Sequence, residues 1–308
     1  MGRLLQFLSG ACASNSWWPG CPEFSLADSA PAVRLKVLLV VAHPDDESEC
    51  AATLYRITHE LGGVVDQVIV TNGAGGQHFS APALDYYGLS RKQGIAKALP
   101  RLRRREVMRA GQIIGIRRHY FLGQDDTGFT LDPGEGLRRW DLPRVRRKVQ
   151  NLLQSEQYDL ILTLLPAQDT HGHHQTVAVL ALEAAGSMPL AARPAVAGVR
   201  AGSPASGTLP LFSELAGFPE TRTTSGAPIW SFDRRTPLSQ NAALDHSIIV
   251  HWVIAEHKSQ GMFQMEYGRH THEYFWQFAT GRERWDALWQ RFAELGPVNR
   301  QLAGAEAA

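Results

Sequence analysis

Residues 35–42 read LKVLLVVA and run straight into 43–47, HPDDE. The first stretch is almost wholly apolar, which marks a central strand covered on both faces, as in a parallel sheet flanked by helices. Working outward, residues 50–61 (CAATLYRITHEL) read as a helix and 64–71 (VVDQVIVT) as a second strand stopping at the Asn72-Gly73 turn signal. Residues 72–100 scatter Gly, Ser and Pro without a period, so a long loop is expected there. A helix over 103–114, a short strand over 118–122, a helix over 142–154, an apolar strand over 158–165 and a helix over 173–185 follow. This alternation predicts an α/β fold with a doubly wound, mostly parallel sheet and a C-terminal extension. Such sheets carry their sites beyond the C-terminal ends of the strands.

The remaining stretches bound the domain. Residues 9–33 are rich in Ser, Ala, Pro and Gly, so 1–34 are expected to be a flexible leader. The alternative at the N-terminus is a signal or a lipoprotein anchor at Cys12, but its apolar patch is shorter than the ~7–15 residues of a signal core. Residues 35–298 are expected to form one domain, with 199–227, rich in Gly, Ser, Pro and Thr, as an insertion or mobile loop. Order resumes at 228–232 (PIWSF), then helices are expected over 246–260 and 283–294, before a frayed tail at 299–308.

Composition excludes some classes. With 31 basic and 30 acidic residues the formal net charge is +1, which gives no global attraction to nucleic acid or membrane. The arginines at 101, 103–105, 117 and 118 read as a solvated face. No apolar run approaches the ~18 residues of a membrane span. Cys12, Cys21 and Cys50 form neither a disulfide framework nor a C-x-x-C site, and fit a reducing, cytoplasmic setting. Self-association is left open.

Chemistry concentrates in two clusters. His43-Pro44-Asp45-Asp46-Glu47 begins one residue after the buried strand, and Asp169-Thr170-His171-Gly172-His173-His174 follows the fourth apolar strand. In a parallel sheet both lie on one rim. Charges placed so close to a core are tolerated when they bind a metal or one another. Imidazole and carboxylate are ligands that zinc prefers, and a catalytic zinc takes three of them and leaves one position open. One His and one Asp from the first loop with one His from the second meet that count. The plainer reading is that Asp46 or Ser48 caps the following helix.

The run VVAHPDDE at 40–47, with the His-rich loop at 171–174, resembles the PIG-L/LmbE family of N-acetylglucosaminyl deacetylases. The resemblance covers about residues 35–186, with fainter matches to about 260. It implies a Rossmann-like domain with one catalytic zinc. It implies His43, Asp46 and His174 as metal ligands, Asp45 as general base, and His171 as oxyanion stabiliser or general acid, protonated in that role. Arg103 and Glu106 resemble the family's R-x-x-E, and Asp126-Thr127-Gly128 its D-S-G, which implies that Arg103 and Asp126 bind sugar hydroxyls. His257-Lys258-Ser259-Gln260 is similar to a late H-x-S-Q segment. The implied activity is hydrolysis of a linear amide, removing acetyl from a small N-acetylated sugar, glycoside or glycoconjugate. Two departures stand out. The family's H-P-D-H reads here with Gly172 and His173 in the middle, and the carboxylate of its T-x-G-E-x-G loop is replaced by Ala74.

Other readings compete. His171 and His173 fit the first two histidines of a metallo-β-lactamase-like H-x-H-x-D-H loop, but Gln175 and Thr176 stand where that loop needs Asp and His. A catalytically impaired sugar- or partner-binding module is favoured by Ala74 and His173. A nucleotide-binding dehydrogenase lacks its G-x-G-x-x-G after the first strand. Asp169 is a candidate to orient His171. The run His270-Thr271-His272-Glu273 is expected at the surface, with a pocket or second-metal role as the alternative. Tyr274, Phe275 and Trp276 are expected in the core rather than as a sugar-stacking platform.

Overall fold

The computed structural model describes residues 34–88, 95–204, 211–261, 268–285 and 288. In chain order the elements are β1 (Lys36–Val41), α1 (Ala51–Tyr55), β2 (Val64–Thr71), α2 (Ala81–Tyr86), α3 (Ile95–Ile114), β3 (Ile116–Gln124), α4 (Gly134–Arg139), α5 (Leu142–Glu156), β4 (Leu160–Leu164), α6 (Gly172–Gly186), β5 (Ala195–Gly202), β6 (Trp230–Asp233), β7 (Pro237–Leu238), β8 (Asn241–Asp245), α7 (Ser247–Glu256) and β9 (His272–Gln277). Among the described residues, seven strands form one sheet in the order β3-β2-β1-β4-β5-β9-β6, and β7 and β8 pair separately. The first five are parallel, and β9 runs antiparallel to both β5 and β6. This is the expected doubly wound α/β architecture, closed on one edge by an antiparallel C-terminal extension.

β1 lies at the centre because it can be buried on both faces. Its side chains alternate between two layers although nearly all are apolar. Val37, Leu39 and Val41 meet Leu54, Ile114 and Val253 on one face. Leu38, Val40 and Ala42 meet Val149, Leu153 and Leu180 on the other. Each fully buried Leu contributes roughly 1.5–3 kcal/mol relative to exposure. α5 shows the local logic of the flanking helices. Asp141 caps it by accepting from the Arg144 amide at 3.1 Å, and Val145, Val149, Leu152 and Leu153 put one apolar stripe on the sheet.

Three expectations need correction. Residues 72–100 are not one loop: α2 and the first turns of α3 lie there, masked in the sequence by Gly88 and by Pro100, which sits inside α3. The stretch 199–227 starts inside β5, and its described part at 211–227 places Phe212, Leu215 and Thr221 in the interior. Glu273 is fully buried in β9 rather than at the surface. It accepts from the Ala52 and Thr53 amides at 3.0 and 2.9 Å and pairs with Arg234 Nε at 3.1 Å. Tyr274, Phe275 and Trp276 are buried, as expected. Most of 283–294, the leader, Cys12, Cys21 and the tail fall outside the described residues. Among the described residues no helix is long and apolar enough to cross a membrane.

The chain crosses from β1 to β2 on one side and from β4 to β5 on the other. The strand order therefore reverses between β1 and β4, and a crevice opens at their C-terminal ends.

Candidate metal centre

The loop leaving β1 is organised by one carboxylate. Asp46 Oδ2 accepts from the amides of Ala42 at 3.0 Å and His43 at 2.8 Å. That leaves Oδ1 facing outward, 3.7 Å from His43 Nδ1 and 3.3 Å from His174 Nε2. The two rings approach to 3.0 Å between His43 Nδ1 and His174 Nε2. Donor atoms about 2.0–2.2 Å from a tetrahedral zinc stand roughly 3.3–3.6 Å apart, so these three fit one such ion. Thr170 Oγ1 lies 3.2 Å from His174 Nδ1 and so holds Nε2 as the ligand atom. Burial works against charge on Asp46, but the His174 and His43 rings hold it well below the usual carboxylate range. The expected ligands thus come together across the switch point. A second set, His43, His171 and His173, also places one donor atom each within 4.8 Å of the others.

Asp45 points the other way. Its Oδ1 accepts from Arg103 NH2 at 2.9 Å, while Arg103 NH1 donates to Gly73 O at 2.9 Å and lies 3.7 Å from Asp126 Oδ2. Burial raises the Asp45 carboxyl and the guanidinium opposes that rise. Arg103 is itself buried and spans Asp45 and Asp126. Its Nε has no acceptor among the described residues. Asp126 reaches this point because Gly75 is small: a Cβ there would land on Asp126 Oδ1 and the Gly128 amide.

His171 caps α6, its Nδ1 accepting from the His173 amide at 3.0 Å. Burial, followed by the neighbouring His43, His174 and His173 rings, pushes it down to about 2. Burial and the acceptor role of Nδ1 both disfavour the protonated ring that the resemblance implies, and Nε2–H is the donor left to it. Asp169 does not orient it, because both its oxygens pair with Arg200 at 2.9 and 3.0 Å. Phe129, 77 % exposed, stands edge-on to His171 with ring centroids 5.3 Å apart.

Several groups near the site only brace it. Glu47 is fully buried between His257 Nε2 at 2.5 Å and Gln67 Nε2 at 3.2 Å. Glu106 accepts from the Ser259 amide at 2.9 Å, Ser259 Oγ at 2.6 Å and Tyr87 Oη at 2.7 Å. Gln260 Nε2 donates to Gly76 O at 3.1 Å. The H-x-S-Q segment thus clamps three pieces of the rim, a role its spacing alone did not disclose. Thr127, inside the D-T-G match, and His173, the departure from H-P-D-H, lie against the rings together with Thr170, which no motif marks.

The fold and the site define a class: α/β proteins whose sheet carries, at its switch point, a His/Asp cluster that could hold a metal ion. Within that class, residues 38–185 match the family described as PIG-L: GlcNAc-PI de-N-acetylase, and this segment is a PIG-L family domain. The chain is 26% identical over 159 residues to a Bacillus anthracis protein named "Probable N-acetyl-alpha-D-glucosaminyl L-malate deacetylase 2", covering 51% of this chain and 62% of that protein. It is 32% identical over 145 residues to a Saccharopolyspora erythraea protein named 1D-myo-inositol 2-acetamido-2-deoxy-alpha-D-glucopyranoside deacetylase 2, covering 44% of this chain and 49% of that protein. The chain therefore spans less than two thirds of either relative. The fold is shared with the A40926 pseudoaglycone deacetylase at a TM-score of 0.52 and 16% identity, covering 80% of this chain and 98% of that one. It is also shared with the zinc-inhibited form of teicoplanin deacetylase, at 0.51 and 14%, covering 79% and 97%. The family match leaves the metallo-β-lactamase-like and dehydrogenase readings without support.

Proposed function

We propose that this chain is a zinc-dependent hydrolase that removes the acetyl group from an N-acetylated sugar or glycoconjugate. The observation that carries the reading is the meeting of His43, Asp46 and His174 around one point, with Asp45 on the same short loop. Those three residues would hold one zinc, and other divalent ions suit the same donors. Zinc bound there supplies a Lewis acid and lowers the pKa of its water to about 7.

The chain's own groups do the rest. Asp45, anchored by Arg103, takes a proton from water as the C–O bond forms. Its burial favours holding that proton, which it then passes to the departing amine as the C–N bond breaks, giving acetate and the free amino sugar. His171 donates Nε2–H to the oxyanion, an interaction of the kind worth roughly 3–4 kcal/mol. Here the neutral ring acts as hydrogen-bond donor, and Asp45 supplies the acid. Arg103 and Asp126 form the polar wall that meets sugar hydroxyls, and exposed Phe129 offers the sugar an apolar face.

The test is acetate release from a panel of N-acetylated glycosides, with and without a chelator. Release that stops on chelation and returns with zinc is the expected result. Zinc binding without release from any member would favour the non-catalytic binding module, and release indifferent to chelation would end the metal reading.

A further inference from the structure

Position 173 is where the second loop carries histidine in place of the family pattern's aspartate. The His173 ring is fully buried, with the Trp140 ring 5.1 Å away between centroids. Its Nδ1 lies 3.2 Å from His43 Nε2, and its Nε2 lies 3.3 Å from Thr127 Oγ1. Beyond Thr127 stands Glu135, in the first turn of α4, whose carboxyl is held below the usual range by the Thr127 hydroxyl first and, against a small cost of burial, by the Thr130 hydroxyl. Asp126 Oδ1, at 3.9 Å from His43 Nε2 and 3.8 Å from His173 Nδ1, is beyond hydrogen-bond reach of either ring.

The proton positions follow by elimination. His43 Nδ1 faces Asp46 Oδ1 and His174 Nε2, so a cation there requires its lone pair. The proton of a neutral His43 then sits on Nε2 and donates to His173 Nδ1. His173, an acceptor at Nδ1, keeps its own proton on Nε2 and donates to Thr127 Oγ1. The Thr127 hydroxyl is left to donate to Glu135. Each link has one consistent direction, and the series ends on a carboxylate that also faces Arg139 at 3.5 Å. A ligating histidine generally gives its second N–H to such an acceptor, which fixes the ring and raises its basicity.

We infer that His173, Thr127 and Glu135 form a positioning relay that fixes the tautomer and orientation of the metal ligand His43, with the negative end displaced from residue 173 to Glu135. The inference rests on the proposed metal site. It makes His173 a positioning residue and assigns the other metal-capable trio, His43, His171 and His173, no ion of its own.

The test is zinc affinity, measured by competition with a chromophoric chelator, together with the visible spectrum of the cobalt-substituted protein. His173→Ala should still bind one equivalent but ~10–100-fold more weakly, with an altered cobalt spectrum. Thr127→Val and Glu135→Gln should each weaken binding by less. Because the links act in series, Thr127→Val/Glu135→Gln should be no weaker than Thr127→Val alone. Both single variants should melt like the parent when metal-free, which separates positioning from general packing. His173→Ala binding as tightly as the parent would overturn the relay. So would complete loss of zinc in that variant, since His173 would then be a ligand, and so would additive effects of Thr127→Val and Glu135→Gln. If His173→Ala does not fold, the two exposed-end variants decide. A parent protein that binds no zinc would remove the metal site itself, a different outcome from any of these.

Discussion

In the loop after β1, Asp46 is tied to amides only three and four residues away, whereas the loop after β4 adds to its local Thr170–His174 and His171–His173 contacts a set of contacts with distant chain. The Gly172 amide donates to Thr130 O at 2.7 Å, His173 meets Thr127 and Trp140, and Asp169 pairs with Arg200. The Asp46 turn of the first loop can therefore form from local contacts, although Asp45 and Glu47 of the same run lean on distant Arg103, Gln67 and His257. The second is only as constant as the 125–135 segment packed on it, and that is where the departures at Gly172 and His173 fall. A Cβ on Gly172 would come within 2.5 Å of Asp132 O, so the glycine and the close approach of that segment belong together.

The largest effect expected from breaking this arrangement is at the point both loops share. His174→Ala should lose bound zinc and reduce acetate release by roughly 10³-fold or more, since Lewis-acid assistance is worth several kcal/mol. Full zinc occupancy in that variant, read by elemental analysis, would remove His174 from the ligand set. Asp45→Asn tests the first loop alone. It should keep its zinc and its fold while turnover drops ~10²–10⁴-fold, and parallel loss of metal would show that Asp45 acts structurally.

Glu49, also in the first loop, is raised by burial from 4.5 to about 7, against the Ala201 amide and Arg234. The folded protein thus holds a proton that the unfolded chain releases between those values, so this group costs stability as pH rises from about 4.5 to about 7. Glu49→Gln should stabilise the metal-free protein by up to about 3 kcal/mol at pH 8 and by little at pH 4.5. Urea melts at the two pH values check this, and an equal shift at both would refute it.

The second loop should respond to crowding instead. Gly172→Ala should cost about 1–3 kcal/mol through the clash with the Asp132 backbone, visible as a lower thermal midpoint, and an unchanged midpoint would mean the 125–135 segment yields freely. The smallest change belongs to Phe129→Ala, expected to raise KM by a factor corresponding to about 1 kcal/mol with kcat nearly unaltered. A fall in kcat at constant KM would instead tie Phe129 to the orientation of His171.

Much of this was legible in the chain. The strand at 35–42 is long enough and apolar enough to declare a doubly covered sheet. Within HPDDE the Asp46 turn carries its own geometry, because its amide contacts are local, whereas Asp45 and Glu47 depend on distant Arg103 and His257. Less legible were elements whose signals conflict. α3 hides behind Pro100, and β5 runs into a Gly/Ser/Pro-rich stretch. Glu273 sits in a polar run that reads as surface, because its partners Ala52, Thr53 and Arg234 are far away in sequence.

By itself the sequence determined the class of sheet, the rim on which the chemistry lies, and the ligand types available there, since hydrophobic period and local turn chemistry act over a few residues. Only the tertiary structure decided which imidazole nitrogens converge with Asp46 and which ring packs behind them, that His171 Nδ1 accepts from a backbone amide, and that Glu47 and Glu106 are taken up by His257, Gln67, Ser259 and Tyr87. His43 and His174 are separated by 131 positions. Their meeting, and the direction in which each ring points, depend on strand order, crossover and the packing of the segment above them.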